Sequence, residues 1–185
     1  MKRATLISLA LLSVTIAFAD NHIVSSPDGK LKVDINDDGG QATYAVNYNG
    51  TEILSRSALG LSANYGDFTK NLKIVKAEES KVNKSYDMTR IKKSHVEYKA
   101  NQITLDLVNA DNLPIQITFN VSNNDIAFRY SLPRPKNDNP KAAIIYKEVS
   151  GFNFPSQTRT FLSPQITPMT GWERTKPSYE EEYRP

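Results

Sequence analysis

The sequence predicts an all-β fold, a sandwich or barrel of roughly ten to twelve strands. Three observations lead there. From Ile23 onward, short stretches alternate apolar and polar residues with a period of two, the mark of a strand with one buried face. Pairs of Gly, Asn and Asp punctuate those stretches at close spacing, as turns do in antiparallel sheets. After Ala19 no stretch of useful length carries the 3.6-residue periodicity of a helix.

The elements follow in order. Lys30 to Asn36, "KLKVDIN", sets Leu31, Val33 and Ile35 on one side and Lys32, Asp34 and Asn36 on the other. Asp37 to Gly40, "DDGG", is a turn. Ala42 to Tyr48, "ATYAVNY", repeats the alternation, with Tyr44, Val46 and Tyr48 tending to one side. Asn49-Gly50 then separates Tyr48 from Thr51. Both residues tolerate the positive φ of a type I′ turn, so this pair predicts a two-residue hairpin. Asn71 to Ser80 alternates less cleanly through Leu72, Ile74 and Ala77.

His95 to Ala100 leads through Ala100-Asn101 into Gln102 to Val108. Pro114 to Val121 is expected to bury Ile115, Ile117, Phe119 and Val121. Asn123-Asn124 turns the chain into Asp125 to Leu132, and Ala142 to Ser150 is a further strand candidate. Leu132 to Pro140, "LPRPKNDNP", reads as a loop because its prolines cannot continue a ladder.

Three segments are expected. Residues 1–19 read as a signal peptide: Lys2 and Arg3, an apolar run from Leu6, and Ala17-Phe18-Ala19 as the cleavage pattern. The run is short for a membrane span, which needs about 20 apolar residues. Residues 20–161 form the β-sandwich domain, and 162–185 an extended, proline-containing loop. Export to the periplasm or the medium follows, with no membrane span left after cleavage. The chain has no cysteine, so folding rests on burial and backbone pairing. Without Lys2 and Arg3 the 23 basic residues fall to 21 against 20 acidic ones. Such a balance gives no case for a nucleic-acid partner.

Little catalytic chemistry is legible. His22 and His95 are the only histidines, and there is no cysteine, too few ligands for a structural zinc site. No serine lies in a G-x-S-x-G elbow and no Gly-rich phosphate loop is present. His95 falls in a strand pattern and reads as structural. Arg129 in "AFRY" is read as one half of a structural ion pair rather than an anion site. Trp172, the only tryptophan, lies in the proline-containing loop, where it can stack on a sugar or pack on the sandwich. Glu180, Glu181 and Glu182 lie between Tyr179 and Tyr183. In an extended chain Glu180 and Glu182 share one side. Paired carboxylates serve glycoside hydrolysis, and hard oxygens serve calcium, which wants six to eight of them. A solvated acidic tail is the plainer reading of a charge run.

An ordered series of short motifs adds to this. "SPDGKLKV" (Ser26 to Val33), "SALGL" (Ser57 to Leu61), "NDIAFRY" (Asn124 to Tyr130), "FNFP" (Phe152 to Pro155) and "PSYEEEY" (Pro177 to Tyr183) span most of the chain. Together they resemble the N-terminal domain of glycoside hydrolase family 97, which implies a β-super-sandwich of antiparallel strands. The resemblance implies a secreted, calcium-dependent α-glucosidase or α-galactosidase with a (β/α)₈ catalytic barrel after the sandwich. It places a calcium-binding glutamate at Glu180, with Glu181 as the fallback, and it puts Tyr179, Tyr183 and Trp172 at the substrate. The catalytic residues would lie on the barrel, so none is assigned in this chain. On this reading the sandwich has the barrel as its partner, an α-linked oligosaccharide as ligand, and calcium only when the barrel completes the site. Two other readings stay open: a free-standing carbohydrate-binding sandwich and a generic exported structural domain.

Overall fold

The computed structural model describes residues 21–90, 92, 94–133 and 142–161. The chain divides into two compact units, the first ending at Asn153 and the second beginning at Phe154. Of the second unit only residues 154–161 are described, and there Thr158 N–H closes a turn onto the Pro155 carbonyl at 2.9 Å.

In the first unit the described residues form eleven strands and one short 3-10 turn. The strands are β1 (His22–Ser25), β2 (Leu31–Asn36), β3 (Thr43–Tyr48), β4 (Thr51–Ala58), β5 (Leu61–Ala63), β6 (Gly66–Asp67), β7 (Lys73–Asp87), β8 (His95–Val108), β9 (Pro114–Ser122), β10 (Ile126–Ser131) and β11 (Ile145–Glu148). They make three antiparallel sheets, ordered β1-β2-β3-β4, β10-β9-β8-β7 and β11-β5-β6. The all-β expectation and its strand number are met.

The two larger sheets share one core. Val24, Leu31, Val33, Ile35, Tyr44 and Val46 come from the first. Ile103, Leu105, Leu107, Ile115, Ile117, Phe119 and Val121 come from the second. Each set alternates along its strand, so a single register places every member on the inner face. Tyr48 continues the β3 pattern but ends the hairpin and is 41% exposed. Leu59, Leu61, Ala63 and Phe68, from the small sheet and its connections, join the same cluster. Buried polar groups are matched: Asn36 Oδ1 accepts from Thr43 Oγ1 at 2.8 Å.

Turn chemistry fixes the registers. Asn49 and Gly50 have φ of 50° and 84°, the two positive values that type I′ requires, and Tyr48 pairs with Thr51 across them. In the β1–β2 turn, Ser26 Oγ accepts from Leu31 N–H and donates to Asp28 Oδ1. That hydroxyl, with the Lys30 N–H, holds the Asp28 carboxyl below the usual carboxylate range. The "SPDGK" stretch is therefore a self-bonded turn.

Two expectations change in detail. The weak alternation after Asn71 has a physical cause: the β7–β8 register shifts between Ile74 and Lys76, a β-bulge that inserts one residue. The two stretches on either side of Ala100-Asn101 are one continuous strand, β8, and β7 runs beside it to Asp87. Because β9 pairs with β8 only from Ala100 onward, the outer ends of β7 and β8 project as a two-stranded arm.

Candidate functional site

Three of the motifs, "SALGL", "NDIAFRY" and "FNFP", come together beside the small sheet. Gly60, from "SALGL", has φ of 138°, and a Cβ there would lie 2.3 Å from the Phe68 carbonyl oxygen. Only glycine fits. Its N–H donates to the Tyr130 hydroxyl at 2.8 Å, and Tyr130 belongs to "NDIAFRY". Ser150 Oγ lies 2.6 Å from the same hydroxyl and donates to Glu148 Oε1 at 2.7 Å. Since the Ser150 hydrogen goes to Glu148, Tyr130 donates to Ser150 and accepts from Gly60.

Further bonds lace residues 151–153 onto the sandwich. Tyr44 hydroxyl donates to the Gly151 carbonyl at 3.0 Å. Asn153 N–H donates to Ser57 Oγ at 2.9 Å, and its amide Nδ2 to the Arg56 carbonyl at 2.8 Å. Ser55 and Asn153 form an isolated antiparallel bridge. Beneath lies an aromatic cluster of Tyr44, Phe119, Phe128, Tyr130 and Phe152, with neighbouring ring centroids 5.3–6.4 Å apart. Burial, with the nearby Tyr130, pushes the Tyr44 phenol up to about 12. Burial also raises Tyr130, against the downward pull of its bonds to Ser150 and Gly60. Both phenols therefore stay protonated and act as donors.

This pinned segment carries exposed apolar side chains. β11 is an edge strand, and all four of its residues are exposed. Ile144, Ile145, Tyr146 and Phe152 are 54%, 49%, 68% and 58% exposed. Edge strands in isolated domains are usually blunted with charge. Here Lys147 and Glu148 supply charge, yet the three residues before them are apolar.

Trp172, Tyr179, Glu180, Glu181 and Tyr183 lie outside the described residues. Among the described residues no three His, Asp or Glu side chains converge as a metal ion would need. Arg129 is exposed on β10 opposite Thr118, and among the described residues it forms no ion pair. It stands on the outer, solvent-facing side of its sheet.

One constellation was missed by the sequence reading. Ser85 Oγ lies 3.2 Å from His95 Nε2, and His95 Nδ1 lies 2.8 Å from Asp87 Oδ1. The spacing imitates a nucleophile, base and orienting acid. Its surroundings do not. The His95 and Asp87 side chains are 56% and 80% exposed, and Asp87 and His95 are direct cross-strand partners near the tip of the arm. The bonds follow from strand register and fasten the tip, as a cross-strand polar pair does. Only the pairing of β7 with β8 brings Ser85 and Asp87 to His95, so no local sequence pattern announces it.

Comparison with known proteins agrees with this architecture. The family described as "Glycosyl-hydrolase 97 N-terminal" matches residues 24–185. A crystal structure of a beta-arabinopyranosidase is 45% identical, with a TM-score of 0.81 over 88% of this chain and 26% of that one. A glycoside hydrolase family 97 enzyme from Pseudoalteromonas sp. strain K8, solved with panose and with acarbose, is 22% identical, with a TM-score of 0.66. That match covers 73% of this chain and 20% of the enzyme, and at that identity it speaks for the fold alone. No curated protein matches. The chain thus spans about a quarter or less of the length of these solved relatives. Matched along nearly all of its length after residue 23, the chain belongs to the glycosyl-hydrolase 97 N-terminal domain family.

Proposed function

We propose that this chain is the N-terminal module of a secreted, calcium-dependent α-glycoside hydrolase, packed on a catalytic barrel and forming one wall of its active-site pocket. The exposed apolar row Ile144, Ile145 and Tyr146, with Phe152 on the adjoining pinned segment, is the observation that carries this reading. A soluble domain keeps such side chains covered when they are grouped. A rigid backing suits them for docking: Tyr130, Ser150 and Tyr44 fix the chain just after β11.

In this reading catalysis belongs to the barrel, and the sandwich supplies Glu180, or Glu181 in the neighbouring register, to the calcium. Calcium requires several more oxygen ligands than one glutamate gives, and no described cluster supplies them. The remaining ligands are assigned to the barrel, and the ion would supply charge stabilisation there. Tyr179, Tyr183 and Trp172 would contact sugar. The substrate class is an α-linked oligosaccharide, in line with the panose and acarbose of the Pseudoalteromonas enzyme. A β-arabinopyranoside is the second substrate to assay, because the relative at 45% identity is named for it.

Docking is the test. The chain, without residues 1–19, is titrated with a family 97 catalytic domain made separately, and association is followed by sedimentation. Saturable association that Ile145→Glu and Tyr146→Glu abolish supports the proposal. Association that these changes leave untouched would remove β11 from the interface and with it the observation on which the reading stands.

A further inference from the structure

We infer that the groove between β1 and the β7–β8 arm is a binding site for a saccharide bearing a carboxylate, a uronic acid unit, held by Lys81 and Lys99. The saccharide class rests on the family assignment; the site and its charge rest on the geometry that follows.

On the inner face of the second sheet, Ile103, Leu105 and Leu107 of β8 are buried in the core. Two residues further out along the same face come Asn101 and then Lys99. Opposite them on β7 stand Lys81, paired with Asn101, and Asn83, paired with Lys99, while Glu79 pairs with Ile103. The face that is apolar inside the sandwich thus turns polar where it leaves it. Ile23, Val24 and Ser25 of β1 and Pro27 of the following turn stand across from it. Asn101 Nδ2 ties the two walls together by donating to the Ser25 carbonyl at 2.8 Å.

Two open depressions lie along this groove. One, of about 290 Å³, is lined by Pro27, Lys81, Asn83, Lys99 and Asn101 among others. The other, of about 480 Å³, is lined by β1 together with Glu79, Ser80, Lys81 and Asn101. Lys81 and Asn101 line both, so the cavities adjoin there. Small-ligand sites run to roughly 300–1,000 Å³, which suits one or two sugar rings.

The charges select the ligand. Lys30 and Lys76 are paired with Asp28 and Glu78. Among the described residues Lys81 has no ion-pair partner. Lys99 has only a long contact to Glu97, 3.6 Å between two well exposed groups, and such surface pairs are worth little. Lys81 and Lys99 both line the smaller cavity, and their positive charge favours a carboxylate. At the far end, Glu79 and Ser80 favour a polyol: a carboxylate accepts from sugar hydroxyls and repels a second acid. That separation of charge speaks against an acidic peptide, which would set a carboxylate beside Glu79.

The full chain is titrated by calorimetry with galacturonosyl-rhamnose, a disaccharide bearing one carboxylate, its neutral methyl ester, and a hexaglutamate peptide. The acidic disaccharide is expected to bind, to weaken tenfold or more in Lys81→Ala and in Lys99→Ala, and to weaken with added salt. The ester is expected to bind at least tenfold less tightly. Lys81→Gln keeps a polar side chain without the charge, so the same loss in Lys81→Gln, with an unchanged circular dichroism spectrum, separates lost charge from lost fold. Lys32→Ala, on the exposed side of β2, is expected to change nothing. Absence of binding by the acidic disaccharide, equal binding of the ester, or hexaglutamate binding as tight as the acidic disaccharide each overturns the inference. Docking to a catalytic domain uses β11 and not Lys81, so either result stands without the other.

Discussion

The Tyr130 hydroxyl accepts the backbone N–H of Gly60 at 2.8 Å, joining two short sequence motifs that lie 70 residues apart. Neither motif has chemistry of its own. Each is one half of a buried hydrogen bond that fixes how the chain passes from the small sheet to the segment after β11. Tyr130→Phe keeps the ring and its contacts with Phe128 but leaves the Gly60 N–H without its partner. The expected loss in unfolding free energy is about 1–3 kcal/mol, read from urea titrations. Ser150→Ala should cost less, since Tyr130 keeps the Gly60 bond.

Gly60→Ala tests the same place from the other side. The new Cβ meets a backbone oxygen at 2.3 Å and the φ of 138° is foreign to L-residues. A destabilisation of about 2–4 kcal/mol is expected, by the same titration. Gly29→Ala, at a positive φ with no atom within 4 Å of the added carbon, should cost only the strain of the αL conformation, about 1 kcal/mol.

Phe119 stands at the centre of the aromatic cluster, fully buried against Tyr44 and Phe128. Phe119→Ala should destabilise the domain by about 3–5 kcal/mol through lost contacts and the cavity left behind. Thermal melting followed by near-ultraviolet circular dichroism would report the loss.

The buried phenols set the alkaline limit of the fold. Tyr44 has its pKa raised from 10.0 to about 12, by burial first and Tyr130 second. Its protonated form is thus favoured by the folded state. That contribution is complete below pH 10, where both states hold the proton. Between pH 10 and 12 the unfolded chain releases it and the folded chain does not, so stability falls as pH rises. Tyr130 adds in the same direction. The urea midpoint should decline across this window, and Tyr44→Phe should flatten the decline while lowering stability at pH 7 through loss of the bond to Gly151.

Much of the fold was legible because the pattern is strict where one face of a strand is buried. Val33 and Ile35, or Ile115 to Val121, cannot slip by one residue without moving the core to water. The Asn49-Gly50 hairpin was legible because few residue pairs accept two positive φ values. What escaped was non-local. The bulge after Ile74 blurs the alternation of β7, and only pairing with β8 reveals it. The Gly60–Tyr130 bond, the Ser85–His95–Asp87 chain and the groove beside Lys81 all join residues from separate strands. Arg129 alternates with Phe128 and Tyr130, which pack on the core, and is itself exposed, with no ion pair among the described residues. Of the candidate site, the sequence names Trp172, Tyr179, Glu180, Glu181 and Tyr183, which lie outside the described residues, while the apolar β11 row became visible only with its exposure.

The central claim is that this sandwich completes a catalytic site carried by another domain. Hydrolysis of panose by the chain joined to a family 97 catalytic domain, assayed with calcium and with a chelator, tests it most directly. Calcium-dependent turnover that falls at least a hundredfold in Glu180→Gln, or in Glu181→Gln if the register is shifted by one, is the expected result. Equal turnover by the catalytic domain without the sandwich, or by both glutamine variants, would contradict it.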